Sequence, residues 1–288
     1  MSQSALAVPG LLTRTLTFIR FSHTVFALPF ALGAMLVAAG GFPSWQLCGL
    51  IVAAMVLART AAMAFNRLVD WEMDKRNPRT EGRHRLVSFP AAVALCVGSA
   101  IGFVGVSWAI NPLCFKLSPV ALGLVFFYSL TKRFTSLCHF YLGLALSVSP
   151  VGAWLAVTGE FALAPMILAA GVILWVAGFD LIYATQDHEF DRSEGLHSLV
   201  VRLGVDRSLR LAQWLHGVVV VLLGAFGAAA GLGGIYFSGL VLVLAALIYE
   251  HRVARRADLA AINQAFFVSN AFVGLVFVLA ILIDVLVK

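Results

Sequence analysis

Asn66-Arg67-Leu68-Val69-Asp70-Trp71-Glu72-Met73-Asp74 ends a long apolar run, Trp45 to Phe65, and leads straight into Lys75-Arg76-Asn77-Pro78-Arg79-Thr80. Asn66, Asp70 and Asp74 are spaced four apart, so a helix continuing through them turns all three side chains the same way. A membrane-embedded chain has little reason to set an amide and two carboxylates in line at a helix end. Carboxylates at a helix C-terminus also meet the partial negative end of the peptide dipoles. A positive partner missing from the sequence would answer both objections, and a metal ion is the first candidate.

The composition around this stretch decides the class. The 288 residues are 61% hydrophobic and 12% charged, against about 25% charged in a soluble domain, and the mean hydropathy is +0.96. The apolar runs are long and continuous instead of alternating at period two, which predicts an all-α membrane protein. Nine spans are expected, at about 23–41, 45–69, 89–110, 117–131, 137–157, 164–184, 210–230, 234–249 and 266–286, the fourth being short for the ~20 residues a crossing needs. No stretch between them exceeds roughly 25 residues, too few for a soluble domain, so residues 1–288 are read as one integral-membrane domain. Cys48, Cys96, Cys114 and Cys138 are scattered without metal-type spacing and read as small apolar packing residues. The N-terminus lacks a signal-peptide pattern, so the first span is expected to serve as the insertion signal.

The net charge of +6 points to topology and not to nucleic acid. With nine spans, Arg14, Arg20, the Lys75–Arg85 cluster, Lys132, Arg133 and the basic residues from Arg192 to Arg256 fall on one side of the membrane. Lys116 and Lys288 are left on the other, while Arg59 and Arg67 lie within a span. This asymmetry predicts a cytoplasmic N-terminus and cytoplasmic basic loops, as expected of a bacterial inner-membrane protein. Pro29 in span one suits a helix whose neighbours satisfy a freed carbonyl. Gly98/Gly102 and Gly227/Gly231 are pairs four apart that favour close helix approach.

Span six ends in Asp180-Leu-Ile-Tyr183-Ala-Thr-Gln186-Asp187-His188-Glu189-Phe190-Asp191, where Tyr183, Asp187 and Asp191 repeat the spacing of the first motif. Spans two and six have equal parity, so both motifs emerge at the same face into charged loops, Trp71–Ser88 and Thr185–Leu209. Four carboxylates facing one cavity suit Mg²⁺, which takes hard oxygen ligands, waters and substrate phosphates. Basic residues flank both pairs, as a diphosphate requires. Arg67 has two readings, a diphosphate contact or an ion pair with Asp70 or Asp74. Lys132 and Arg133 read equally as anion contacts or as anchors of span four. Arg59 lies two helical turns deeper than Asn66, where a lone charge is costly, and is expected to meet an anion in the cavity. Asp180 lies likewise two turns before Asp187, to line the cavity or to pair with a neighbour. His23, His139, His188 and His197 show no ligand spacing and are assigned to packing or solvent. Any of the 22 phenylalanines that line the cavity offer ring faces to a cation.

Asn66-x-x-x-Asp70-x-x-x-Asp74 with Asn77-Pro78-Arg79-Thr80, followed by Asp180-x-x-Tyr183-x-x-Gln186-Asp187-x-x-x-Asp191-x-x-x-Gly195-x-x-Ser198, resembles the UbiA superfamily of intramembrane aromatic prenyltransferases. Motif order, span count and Tyr128-x-x-x-Lys132-Arg133 carry the likeness over most of the chain. The resemblance implies a nine-helix bundle with a central cavity open sideways to lipid and capped by cytoplasmic loops, and Mg²⁺-dependent transfer of a polyprenyl chain to an aromatic ring. It implies metal binding by Asn66, Asp70 and Asp74 and by Asp187 and Asp191. It places Lys132, Arg133, Arg79 and Arg83 at diphosphate contacts, and Arg59 at an arginine common in the family. Tyr183, Asp180 and Arg67 join the expected substrate-binding set, with Asp70, Asp187, Lys132 and Arg59 expected to be catalytic. One departure stands out: many members carry Asp directly after the motif asparagine, where this chain has Arg67. Arg20-Phe-Ser-His23-Thr-Val-Phe-Ala-Leu-Pro29 and Asn263-Gln-Ala-Phe-Phe are most similar to the 4-hydroxybenzoate polyprenyltransferase branch of quinone biosynthesis, which has relatives acting on a naphthoate for menaquinone.

The expected donor is a polyprenyl diphosphate and the acceptor an aromatic acid held by Arg59 or Arg20. A secondary transporter would place its ionisable groups near the bilayer midplane and break helices in related halves, whereas these clusters sit at one face. A CDP-alcohol phosphotransferase would need an Asp-Gly-x-x-Ala-Arg element that is absent. Haem farnesylation and homogentisate prenylation are further chemistries within the superfamily.

Overall fold

The computed structural model describes residues 10–21, 26–77, 80–255 and 259–288, the side chains of 259–263 and 265 excepted. All regular structure among them is helical. A short helix, α1 (Leu11–Phe18), precedes α2 (Leu28–Ala39), α3 (Trp45–Val69), α4 (Trp71–Arg76), α5 (Phe89–Ile110), α6 (Pro112–Thr131) and α7 (Cys138–Thr158). Then come α8 (Leu163–Ala184), α9 (His188–Ser193), α10 (Leu199–Leu203), α11 (Val205–Ala229), α12 (Gly234–Ala254) and α13 (Leu259–Val287). Eight of these are long and apolar enough to cross a membrane, and α2 is a ninth apolar helix of 12 residues. The order of the nine expected spans is therefore kept, with a shortened first member.

Local chemistry explains where the expected boundaries move. Pro29 is the second residue of α2 and starts that helix instead of interrupting it, because a first-turn proline has no intrahelical hydrogen bond to lose. At 1.5 Å per residue α2 reaches only about 18 Å. The fourth span is longer than expected because α6 begins at Pro112. The Asn111 side chain caps it by accepting from the Cys114 N–H at 2.8 Å, and donates to Leu155 O of α7 at 2.8 Å. Lys116, which masks this turn in a hydropathy reading, is exposed and carries its charge outward from the helix. The polar segment 185–209 contains two short helices and the start of α11.

Trp108, Trp214, Val221 and Ile101 are among the large apolar side chains on the outer surface, as a bundle solvated by hydrocarbon requires. Inside, Phe30 lies between Trp175 and Phe277 with ring centroids 4.8 Å from each. α7 and α8 approach so closely that a Cβ on Gly143 would lie 2.3 Å from Ile173 O. The glycine pairs named from spacing do less than expected. Gly102 faces Leu57 and Gly227 faces Tyr236 closely, but Gly98 meets nothing within 4 Å and Gly231 lies in the turn beyond α11. Four-residue spacing fixes a common face and leaves open whether a neighbouring helix covers it.

Candidate active site

The first motif does not lie on one unbroken helix. α3 stops at Val69, Asp70 is its cap with φ −93° and ψ 13°, and α4 starts at Trp71. The register survives the break, because the Asp70 N–H still bonds to Asn66 O at 3.0 Å and the Asp74 N–H to Asp70 O at 2.7 Å. Asn66, Asp70 and Asp74 consequently face one polar cavity of about 250 Å³. Asp74 falls in the first turn of α4, so the new helix offers N–H groups where a continuous one would have presented carbonyls.

Each aspartate of the first motif holds two cations. Lys132 Nζ is 2.9 Å and Arg133 Nη2 3.3 Å from the Asp70 carboxylate, and Arg133 also donates to Val69 O at 2.7 Å. Arg83 Nη1 is 3.0 Å and Arg67 Nη1 3.4 Å from the Asp74 carboxylate. The carboxylates expected to hold metal and the cations expected to hold diphosphate are thus assembled as one network. Of the two readings of Arg67, the ion pair is present: its side chain is buried and also reaches Asn66 Oδ1 at 3.3 Å and Phe18 O at 3.5 Å. Burial, with Arg67 and Arg20 nearby, pushes the Arg83 guanidinium down to about 10 while Asp74 works against the shift, so it stays charged at neutral pH. Arg79 and His23 lie outside the described residues.

The second motif breaks in the same manner. α8 ends at Ala184, a 3₁₀ turn covers Thr185–Asp187, and α9 carries Asp191. Asp187 and Asp191 line the same polar cavity as the first motif, with Tyr183 and Asp180. The glycine and serine that follow shape the backbone. Gly195 has φ +66°, which lets the Leu196 N–H reach Asp191 O at 2.8 Å and the Gly195 N–H reach Arg192 O at 3.3 Å, the two bonds of a Schellman end. Ser198 Oγ then accepts from the Val201 N–H at 3.1 Å and caps α10. Arg76 Nη2 and Glu194 Oε2, 2.9 Å apart, join the two motif segments.

A second, larger cavity of about 710 Å³ runs among α3, α5, α6, α7 and α8, lined mainly by apolar side chains. Asn66, Arg67, Tyr128, Leu142, Asp180 and Tyr183 line both cavities and form their junction. Arg59 lines the apolar side, and its Nε is buried without a protein partner. Arg20 lines it too and donates to the Tyr183 hydroxyl at 3.2 Å. Its backbone is strained: at φ +48° it is the one non-glycine with positive φ among the described residues, a conformation costing roughly 1–2 kcal/mol. Phe26, Phe179, Phe266 and Tyr183 form an aromatic wall beside the junction, with Tyr183 and Phe266 centroids 4.8 Å apart.

Two residues of the site carry no signal of their own in the sequence. Tyr128 matters there only as the first residue of Tyr128-x-x-x-Lys132-Arg133, yet it stands at the junction one turn before Lys132. His139 reads from spacing as a packing residue, yet it lines the polar cavity and its Nδ1 is 2.6 Å from Asp180 Oδ2. A lone histidine at a helix start has no spacing pattern, and its partner lies 41 residues away.

The UbiA prenyltransferase family model matches residues 27–276. The chain belongs to this family. It is a prenyltransferase, and it is 30% identical to the 4-hydroxybenzoate octaprenyltransferase of Vibrio atlanticus over 85% of this chain and 86% of that one. The corresponding enzyme of Saccharophagus degradans is 31% identical over 89% and 86%. The apo structure of a UbiA homolog from Aeropyrum pernix K1 superposes with a TM-score of 0.82 at 32% identity, covering 91% of this chain and 98% of that one. A homolog from Archaeoglobus fulgidus bound to GPP and Mg²⁺ shares the fold, with a TM-score of 0.69 at 20% identity over 93% and 99%.

The donor set of the polar cavity fits Mg²⁺ in one particular way. Among the described residues no three His, Cys, Asp or Glu side chains converge tightly enough to grip an ion alone. Five carboxylates, Asp70, Asp74, Asp180, Asp187 and Asp191, nevertheless line one small polar space. That arrangement suits a hard cation that takes one or two carboxylates and completes its shell with water and phosphate oxygens.

Proposed function

We propose that this enzyme transfers a polyprenyl group from a polyprenyl diphosphate to the ring of an aromatic acid such as 4-hydroxybenzoate, at an active site facing the cytoplasm. One observation carries the reading: a polar cavity bearing both aspartate pairs shares six lining residues with a larger apolar cavity inside the bundle. Such a junction accepts an amphiphile with a charged head and an apolar tail. The names of the relatives favour 4-hydroxybenzoate as acceptor, and the excess of Lys and Arg in the loops at the motif end supports the orientation.

Asp70, Asp74, Asp187 and Asp191, with Asn66, would hold Mg²⁺, which when bound supplies positive charge against the departing diphosphate. Lys132, Arg133 and Arg83 are paired with Asp70 and Asp74, and we assign them to exchanging those partners for diphosphate oxygens, which Arg79 would also contact. Arg67 stays with Asn66 and Asp74 and holds the first motif in place. As the allylic C–O bond breaks, its electron pair leaves with the diphosphate. The aromatic wall of Phe26, Phe179, Phe266 and Tyr183 presents ring faces to the allylic cation, and the apolar cavity excludes water from it. Arg59 and Arg20 hold the acceptor's carboxylate so that the ring carbon beside the hydroxyl forms the new C–C bond. That carbon then loses its proton to Asp180, the carboxylate lining both cavities, and the C–H electron pair restores the aromatic ring.

Membranes carrying the enzyme, supplied with a polyprenyl diphosphate and with 4-hydroxybenzoate and 1,4-dihydroxynaphthoates in competition, are expected to yield prenylated hydroxybenzoate by mass. Asp70→Asn or Asp187→Asn is expected to lower its formation by about 100-fold or more, given what one electrostatic partner contributes to a transition state. Most of the activity surviving either change, or full activity in excess chelator, would remove the metal assignment.

A further inference from the structure

We propose that His139 is a positioning residue for the prenyl transfer, acting through Asp180 on the proton-removal step. The inference rests on the reaction proposed above and extends it to a residue that acts through another.

His139 sits in the first turn of α7, and Asp180 lies near the end of α8. These are the two helices that Gly143 brings into backbone contact. The imidazole stands behind the carboxylate: the His139 side chain is 3% exposed, that of Asp180 26%. A carboxylate oxygen has only lone pairs to offer, so the 2.6 Å contact requires His139 Nδ1–H to donate to Asp180 Oδ2. The other ring nitrogen, Nε2, lies on the far side of the ring, buried without a protein partner. A short bond to a charged acceptor is of the stronger kind. It immobilises one oxygen and the plane of the carboxylate, while Asp180 itself lines both cavities.

The chemistry needs such an anchor. After the C–C bond forms, the attacked ring carbon holds both the prenyl group and a hydrogen. The C–H bond must break, its electrons returning to the ring and its proton passing to a carboxylate oxygen. A carboxylate free to rotate would pair with Arg20, Arg59 or Arg67, which share its cavity walls, and lose its aim. By donating to one oxygen, His139 keeps the other turned to the ring until the proton arrives. Imidazole support of a reacting carboxylate follows the logic by which a third group orients a catalytic base.

The test compares wild type with His139→Ala and His139→Asn in membranes, using 4-hydroxybenzoate and its 3,5-dideuterated form. Loss of a supporting hydrogen bond of this type costs about 10–100-fold. His139→Ala is therefore expected to lower kcat by that factor, with the KM for the diphosphate donor unchanged. A ring-deuterium isotope effect on kcat should appear where wild type shows none, because proton removal becomes slow enough to limit turnover. His139→Asn, whose amide places an N–H near the position of Nδ1, should recover part of the rate and lose the isotope effect. Normal turnover of both variants overturns the proposal, as does a loss in both with no isotope effect, which would mark a packing role. If wild type prenylates no aromatic acid, the proposed reaction fails first, an outcome distinct from either of these.

Discussion

At the scale of single residues the site is a matter of which charges already have partners. Asp70 and Asp74 each hold two cations, whereas Arg59 keeps a buried Nε with no protein partner. A buried guanidinium N–H lacking a partner is expensive unless it meets an anion. Arg59→Met keeps the length and apolar stem, so the fold should tolerate it. We expect the KM for 4-hydroxybenzoate to rise about 10–100-fold, as for loss of one charged contact of about 1.5–3 kcal/mol, with the donor KM within error of wild type. An unchanged acceptor KM would move the carboxylate contact to Arg20. The depth of Arg59 was legible in the sequence, because a charge two turns inside an apolar run is too costly to keep without an anion to meet. His139 was not legible, since nothing in a linear chain announces a hydrogen bond to a residue on another helix. Arg67 was legible only as a pair of alternatives, of which the ion pair with Asp74 is present.

At the scale of elements, both motifs run across a helix break, at the ends expected for spans two and six, Val69 and Ala184. The four-residue spacing is satisfied equally by one helix and by two short ones in register, because Asp70 and Asp74 keep their backbone bonds across the junction. The pattern therefore conveyed which side chains share a face and hid the change from α3 to α4. The second motif adds a stop, and Gly195 makes it. Gly195→Ala places a Cβ at φ +66°, which costs about 1–2 kcal/mol and strains the bonds returning from Leu196 and Gly195 to Asp191 and Arg192. Expected results are a lower midpoint of thermal unfolding in detergent and a several-fold higher Mg²⁺ requirement for turnover, since Asp191 rides on the same turn. A lower midpoint with unchanged Mg²⁺ dependence would separate the turn from the metal site. Ser198, three residues beyond Gly195, has a similarly local role as the cap of α10.

At the scale of the whole molecule, the decisive feature is the meeting of a charged chamber with an apolar one, and this is where the sequence says least. The order of apolar runs conveyed the succession of long apolar helices and that both motifs emerge at one end of the bundle. The shape of the space between helices depends on which small residues face inward, as Gly98 and Gly102 illustrate by differing at equal spacing. Gly152 on α7 lines the apolar cavity, and a Cβ there meets nothing within 4 Å. It lies ten residues beyond Leu142, the junction residue of α7, about 15 Å along the helix at 1.5 Å per residue. A side chain added there intrudes on the far part of the cavity while sparing the chemistry. Gly152→Leu should therefore leave geranyl diphosphate turnover near wild type and lower that of an octaprenyl donor about tenfold, the equivalent of roughly 1.4 kcal/mol in the longer tail's fit. Measuring kcat/KM for both donors in the same membranes distinguishes the cases. An equal loss on both donors would mean that the added side chain disturbs the junction itself. No loss on either would mean that the prenyl tail leaves the bundle before it reaches α7's far half, so that lipid and not this cavity accommodates most of its length.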